Sequence, residues 1–171
     1  SKGMQQKVQF IASVIHEPRL IILDEPFSGF DPVNADVIKN EILELNKRGT
    51  TIIFSTHRME SVEQLCDSIV LLHRSKKILE GKVKDIRNSF RDDTYKIQCR
   101  PNDEIPQENG VFDILNRTAH EDYTELTLKI AAGKTTNEAL AFLLPRVEVH
   151  SLTEVIPTIH EIFVQKVTGT D

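Results

Sequence analysis

Two adjacent carboxylates, Asp24 and Glu25, close an uninterrupted apolar run, Leu20-Ile21-Ile22-Leu23, and Pro26 follows them. A continuous apolar run of this kind reads as a strand buried on both faces, as in a parallel sheet. Acids at the carboxyl end of such a strand stand where α/β proteins gather their ligands. There the first carboxylate can hold Mg²⁺ through water, and the second can polarise an attacking water. The same pair also reads as the polar start of a loop, and alone it does not decide between the two. Its neighbours add weight. Asp31 follows six residues after Glu25, inside Ser28-Gly29-Phe30-Asp31. The next apolar strand ends in Ser55-Thr56-His57, and Ser1-Lys2-Gly3-Met4-Gln5-Gln6 stands some twenty residues before Asp24.

These groups need elements to position them. Met4, Val8, Ile11, Ala12 and Ile15 recur at helical spacing, with Ser1 as a possible cap and Pro18 at the far end. Asp31 is a good N-cap and Pro32 suits the first position of a second helix, with Val37, Ile38, Ile42 and Leu45 on one face and Gly49 at its end. Residues 51–55 form the next apolar strand, and Met59, Val62, Leu65 and Cys66 mark a short helix. Residues 68–72 and 77–81 read as two strands joined by a polar turn. Strands alternating with helices signal a layered α/β sheet.

The pattern changes after about residue 90. Tyr95, Ile97 and Cys99 alternate with polar residues, as do Leu126, Leu128 and Ile130, which predicts half-buried, antiparallel strands. Residues 101–110 are polar and rich in turn formers. Thr135 and Glu138 have capping-box spacing for a helix through Leu144, which Pro145 stops. Val147 and Val149 mark another strand, and Pro157 opens a last helix with Ile159, Ile162, Phe163 and Val167 inward. The expected organisation is an α/β domain over 1–90 and a small α+β domain over 91–171, with a boundary near Arg91.

Composition excludes several classes. The chain has 171 residues, 39% apolar and 27% charged, ordinary for a globular protein and unlike a disordered one. With 21 basic and 26 acidic residues its net charge is -5, which disfavours electrostatic capture of nucleic acid, so no nucleic-acid partner is expected. No apolar run approaches the ~20 residues that span a bilayer. Cys66 and Cys99 match neither a metal-ligand nor a disulfide pattern and fit a reducing compartment as buried apolar residues. His16, His73, His120, His150 and His160 form no ligand cluster, and Asp92-Asp93 reads as a solvated loop.

Taken as a set, the order and spacing over the first 90 residues resemble the nucleotide-binding domain of ATP-binding-cassette (ABC) ATPases. The resemblance implies the C-terminal part of a P-loop NTPase sheet with flanking helices, and roles for single residues. Asp24 matches the carboxylate that orders Mg²⁺, Glu25 the catalytic base, and His57 the switch histidine that contacts the γ-phosphate of ATP. Ser28 to Asp31 match the D-loop, which crosses to a partner domain. Ser1, Lys2, Gly3, Met4, Gln5 and Gln6 match the signature motif, which usually reads Leu-Ser-Gly-Gly-Gln; here Lys2 replaces its first glycine and Met4 its glutamine. A helix N-terminus offers free N–H groups and a positive dipole end to phosphate, and Gly3 admits close backbone approach.

The resemblance further implies an ATPase subunit working as a head-to-tail dimer of two protomers. An integral membrane permease would be its partner, and it would sit in the cytoplasm, peripheral to the inner face of the cell membrane. Export is the expected direction of transport. The 171 residues contain no Gly-x-x-x-x-Gly-Lys-Ser/Thr, the backbone cradle for phosphates, so the chain reads as a fragment expected to be inactive alone. Residues 91–171 resemble, loosely, the small domain behind the ATPase in bacterial transporter subunits of drug- and sodium-export type. They fit a plain structural extension or a dimerisation or regulatory module. A soluble ABC ATPase of translation or repair is a further reading; it would co-purify with ribosomes or DNA rather than with membranes.

Overall fold

A computed structural model describes residues 2–107 and 109–169, the side chain of Lys2 excepted. The chain divides into two compact units, the first ending at Val83 and the second starting at Lys84. The α/β character of the first and the α+β character of the second are those expected from the alternation of patterns.

The first unit opens with α1 (Lys2–Val14), then β1 (Leu20–Asp24), α2 (Pro32–Lys47), β2 (Thr51–Ser55), α3 (Met59–Leu65) and the strands β3 (Ser68–His73) and β4 (Lys76–Lys82). β1 and β2 pair in parallel, with Asp24 opposite Ser55 at their carboxyl ends. Parallel neighbours need a crossover, and α2 supplies it. Asp31 starts that helix by accepting the Asn34 backbone N–H at 3.0 Å, and Pro32 occupies the first turn. Gly49 ends it at φ +98°, donating its N–H to the Asn46 carbonyl, a conformation in which a side chain would be strained. β3 and β4 form an antiparallel hairpin whose turn residues, Arg74 and Ser75, both have positive φ.

The core of this unit gathers Phe10, Ile21, Phe27, Ile38, Ile42 and Leu45. The apolar residues spaced along α1 do not build this core: Met4, Val8 and Ile11, with Ile15 just past the helix end, are exposed, and Phe10 packs inward with Val14 against the same cluster. Two expectations change here. β1 is covered on one face only, with Ile21 buried and Ile22 72% exposed. On α2, Val37 is exposed and Ala35 takes its place beside Ile38 and Ile42. Periodicity names the apolar faces of an element; whether each finds a cover depends on what else packs there.

The second unit contains α4 (Val83–Ser89, from Lys84 on), β5 (Thr94–Pro101), β6 (Phe112–Ala119), β7 (Thr124–Ile130), α5 (Thr136–Leu143), β8 (Val147–Glu154) and α6 (Ile159–Thr168). Its four strands form an antiparallel sheet in the order β6-β7-β5-β8. Ile97, Cys99, Phe112, Leu126 and Leu128 point to one face and pack with Ala139 and Leu143 of α5. Thr135 caps α5 in a reciprocal capping box with Glu138, and Thr158 does the same for α6 with Glu161. Arg87 ties α4 to the segment before α6, donating to the carbonyls of Pro157 at 2.9 Å and Ile156 at 3.4 Å. No helix among the described residues is long and apolar enough to cross a membrane.

Candidate functional site

The in-register pairing of β1 and β2 decides the site. Because Asp24 lies opposite Ser55, the residues just beyond the two strand ends, Glu25 on one and Thr56-His57 on the other, meet at one sheet edge. Glu25 leaves β1 with φ +46°, a left-handed conformation rare for a residue with a side chain. Its N–H donates to the Ser55 carbonyl at 3.0 Å, which carries the parallel pairing one residue past the strand. The turn aims its carboxylate back across the sheet edge.

Three groups hold that carboxylate. The His57 backbone N–H donates to Oε1 at 2.8 Å, His57 Nδ1 lies 2.7 Å from the same oxygen, and the Thr56 hydroxyl donates to Oε2 at 3.2 Å. Thr56 is fixed in turn, its oxygen accepting the Arg58 N–H at 3.1 Å. Burial pushes the Glu25 carboxyl up, but the contacts with His57 and Thr56 outweigh it and hold the group below the ordinary glutamate value. The Glu25 side chain is 31% exposed and that of His57 77% exposed, so both can be reached from solvent.

Asp24 is exposed and accepts a hydrogen bond from the Ser55 hydroxyl. Among the described residues no three His, Cys, Asp or Glu side chains cluster as a metal cage. One fixed, accessible carboxylate is nonetheless the donor set Mg²⁺ uses when waters and substrate phosphates complete its shell, so Asp24 fits that ion.

The remaining candidates lie elsewhere. Asp31 is a helix cap, its carboxyl held below the ordinary value by the backbone and side-chain amides of Asn34. Ser1 and the Lys2 side chain lie outside what is described. Gly3, Met4 and Gln5 fall in the first turns of α1, the latter two exposed. A Cβ on Gly3 would meet Phe30 only at 3.9 Å, so nothing described here demands glycine at that position. Sequence reasoning gave no separate role to Ser55 or Thr56, and named Gln6 only within the segment matched to the signature motif. The first two orient the carboxylates, and Gln6 Nε2 donates to the Ser28 carbonyl at 2.6 Å. The only signal for the pair in the sequence was their place beside His57.

Comparison with known proteins fixes the family. Residues 81–167 match the family model described as the C-terminal domain of DrrA1-3-like ATP-binding proteins. The chain belongs to the ABC transporter ATP-binding proteins. An AAA-domain model matches residues 1–63. An uncharacterized ABC transporter ATP-binding protein of Bacillus subtilis, YhaQ, is 38% identical over 167 residues, 98% of this chain and 55% of that protein. One of Alkalihalophilus pseudofirmus is 56% identical over 91 residues, 53% of this chain and 34% of that one. A fluoroquinolones export ATP-binding protein of Mycobacterium tuberculosis is 49% identical over 72 residues, 42% of this chain and 24% of its own length. The ABC chain described here thus spans about a third to a half of the first two of these relatives.

Proposed function

We propose that this chain is the catalytic C-terminal part of the ATPase subunit of an ABC transporter, hydrolysing ATP at the interface of a head-to-tail dimer to drive export through a partner permease. The observation that carries this is the Glu25 carboxylate, set on a left-handed turn at a sheet edge and held, ionised, by His57 and Thr56. A general base must be ionised, oriented and reachable, and Glu25 meets all three conditions. Glu25 takes the proton of the attacking water. His57 turns its exposed imidazole toward the γ-phosphate, and Asp24 would hold Mg²⁺, which when bound neutralises phosphate charge. The first turn of α1 offers its N–H groups to the phosphates of ATP held by the other protomer. The protein would lie on the cytoplasmic face of the membrane, attached through the permease.

The uncovered apolar residues support this reading. Met4, Val8 and Ile11 on α1, Ile15 just past its end, and Leu20 and Ile22 on β1 are all exposed apolar side chains. They are the seam against which the phosphate-cradling part of the ATPase packs. Purified alone, the 171 residues are expected to show no MgATP turnover above the Glu25→Gln background. Joined to an upstream half carrying Gly-x-x-x-x-Gly-Lys-Ser/Thr, they should turn ATP over at a specific rate that rises with protein concentration, as a dimer requires. Glu25-dependent turnover by the isolated chain would overturn the expected need for an upstream half, and a joined protein that turns over no ATP would refute the proposal.

Thr56 offers a milder check in the joined protein. Thr56→Val keeps the shape but removes the hydroxyl between Glu25 and the Arg58 N–H. Steady-state assays are expected to show kcat reduced by about tenfold, the loss of one hydrogen bond to a charged group, with KM little changed.

A further inference from the structure

We infer that Gln6 is a positioning residue that locks the first turns of α1 to the loop 28–31, so that these two segments move as one piece. The inference rests on the proposed reading that the first turn of α1 faces the ATP held by the other protomer and that residues 28–31 cross to that protomer. Its geometry is independent of that reading. Gln6 Nε2 donates to the Ser28 carbonyl at 2.6 Å, across 22 residues of sequence. Gly29 sits beside the same amide at φ +78°, where an added Cβ would stand 3.1 Å from Gln6 Oε1 and 3.3 Å from Nε2. The loop is therefore shaped to admit this one side chain.

The bond also reaches the catalytic turn. The Ser28 N–H donates to the Glu25 carbonyl at 3.0 Å, so a single residue joins the carbonyl gripped by Gln6 to the backbone of Glu25. At its other end the loop is fixed by Asp31 as the cap of α2. A displacement of α1 is thus passed through Gln6 and Ser28 to Glu25 without a flexible link.

Packing alone does not explain a glutamine here. Its Oε1 is buried and finds no donor among the described residues. The amide cannot turn to relieve this, because Nε2 must face the Ser28 oxygen. A buried amide oxygen without a partner is a cost that an apolar side chain of the same length would avoid. The amide is retained for what its other half does.

The test compares the parent with Gln6→Met, of equal length and without a donor, and Gln6→Glu, isosteric and unable to donate when ionised. Hydrogen exchange of the 171-residue chain is expected to quicken about five- to tenfold at residues 28–31 in both variants and to stay unchanged in β1 and β2. The melting temperature of Gln6→Met should hold or rise, the opposite of what a purely structural role predicts. In the joined ATPase kcat should fall about tenfold at unchanged KM for ATP, since a loosened loop misplaces Glu25 without touching ground-state binding. Unchanged exchange at 28–31, acceleration spread over the whole unit with a lowered melting temperature, or kcat within twofold of the parent would each overturn the inference. Glu25→Gln run alongside separates the two readings. If it leaves turnover intact, the assignment of Glu25 fails, while the exchange result still decides whether Gln6 couples the segments.

Discussion

Glu25→Gln in the joined, hydrolysing protein is expected to lower ATP turnover by about 10²- to 10⁴-fold, the usual contribution of a positioned general base. The substitution is nearly isosteric. The amide oxygen can keep the His57 backbone N–H that Oε1 accepts at 2.8 Å, so the left-handed turn and the strand pairing beneath it persist. What disappears is the carboxylate that His57 and Thr56 orient, and the other groups at this sheet edge are not held in its place. Asp24 is tied to Ser55, and Thr56 and Ser55 carry hydroxyls of no basicity. Binding of MgATP should survive, because in the proposed role Glu25 acts on water rather than on the nucleotide. Single-turnover assays with a parallel binding measurement make the distinction: lost chemistry with retained affinity supports the assignment, while turnover within tenfold of the parent sinks it.

The ionisation of Glu25 bears on the same experiment. Its folded pKa is depressed by His57 and Thr56 against the opposing effect of burial. A depressed carboxylate contributes stability that is present above its unfolded value and is lost as pH falls through the folded one. The Glu25 carboxylate therefore stays charged at and above the ordinary glutamate value, and its own charge is lost only as pH falls below that.

How much of this was legible beforehand varies with the length over which each interaction acts. Caps and turns were, because they are local: Asp31 before Pro32 and Thr135 before Glu138 announce their helices within four residues. The strand ends at Asp24 and Ser55 were, because a continuous apolar run stops abruptly at each. β6 was not, since a register shift between Ile114 and Asn116 breaks the alternation that marks a half-buried strand. α4 was hidden by its shortness, with Val83 and Ile86 as its only fully buried residues. At the site, residue types were readable and contacts were not. The Glu25 conformation, the Thr56 hydroxyl and the Gln6 amide each depend on partners 22 to 32 residues away. The exposed stripe of α1 shows the opposite failure: its period was right, and its burial depended on neighbours that periodicity cannot supply.

Phe27→Ala is expected to have the largest effect on stability, about 3–5 kcal/mol, the range for emptying a buried aromatic position. Phe27 has no exposed surface and meets Phe54 edge to face, centroids 5.7 Å apart, over the core of Phe10, Ile21, Ile38, Ile42 and Leu45. The unit around it is small and leaves much of its apolar surface in water, so its whole margin is at the low end of the ~5–15 kcal/mol typical of domains. Losing most of that margin should leave the first unit only marginally folded at room temperature. Ile22→Ala is the control: that side chain is 72% exposed in this chain, and its truncation should change stability by no more than about 0.5 kcal/mol. Urea unfolding followed by hydrogen exchange resolves the two, with lost protection in β1 and β2 expected only for Phe27→Ala. The consequence extends to the chemistry, because Phe27 follows Glu25 and Pro26 directly and its ring anchors the left-handed turn to the core. A Phe27→Ala chain that keeps β1 and β2 protected would mean that the Glu25 turn is held by the strand pairing alone.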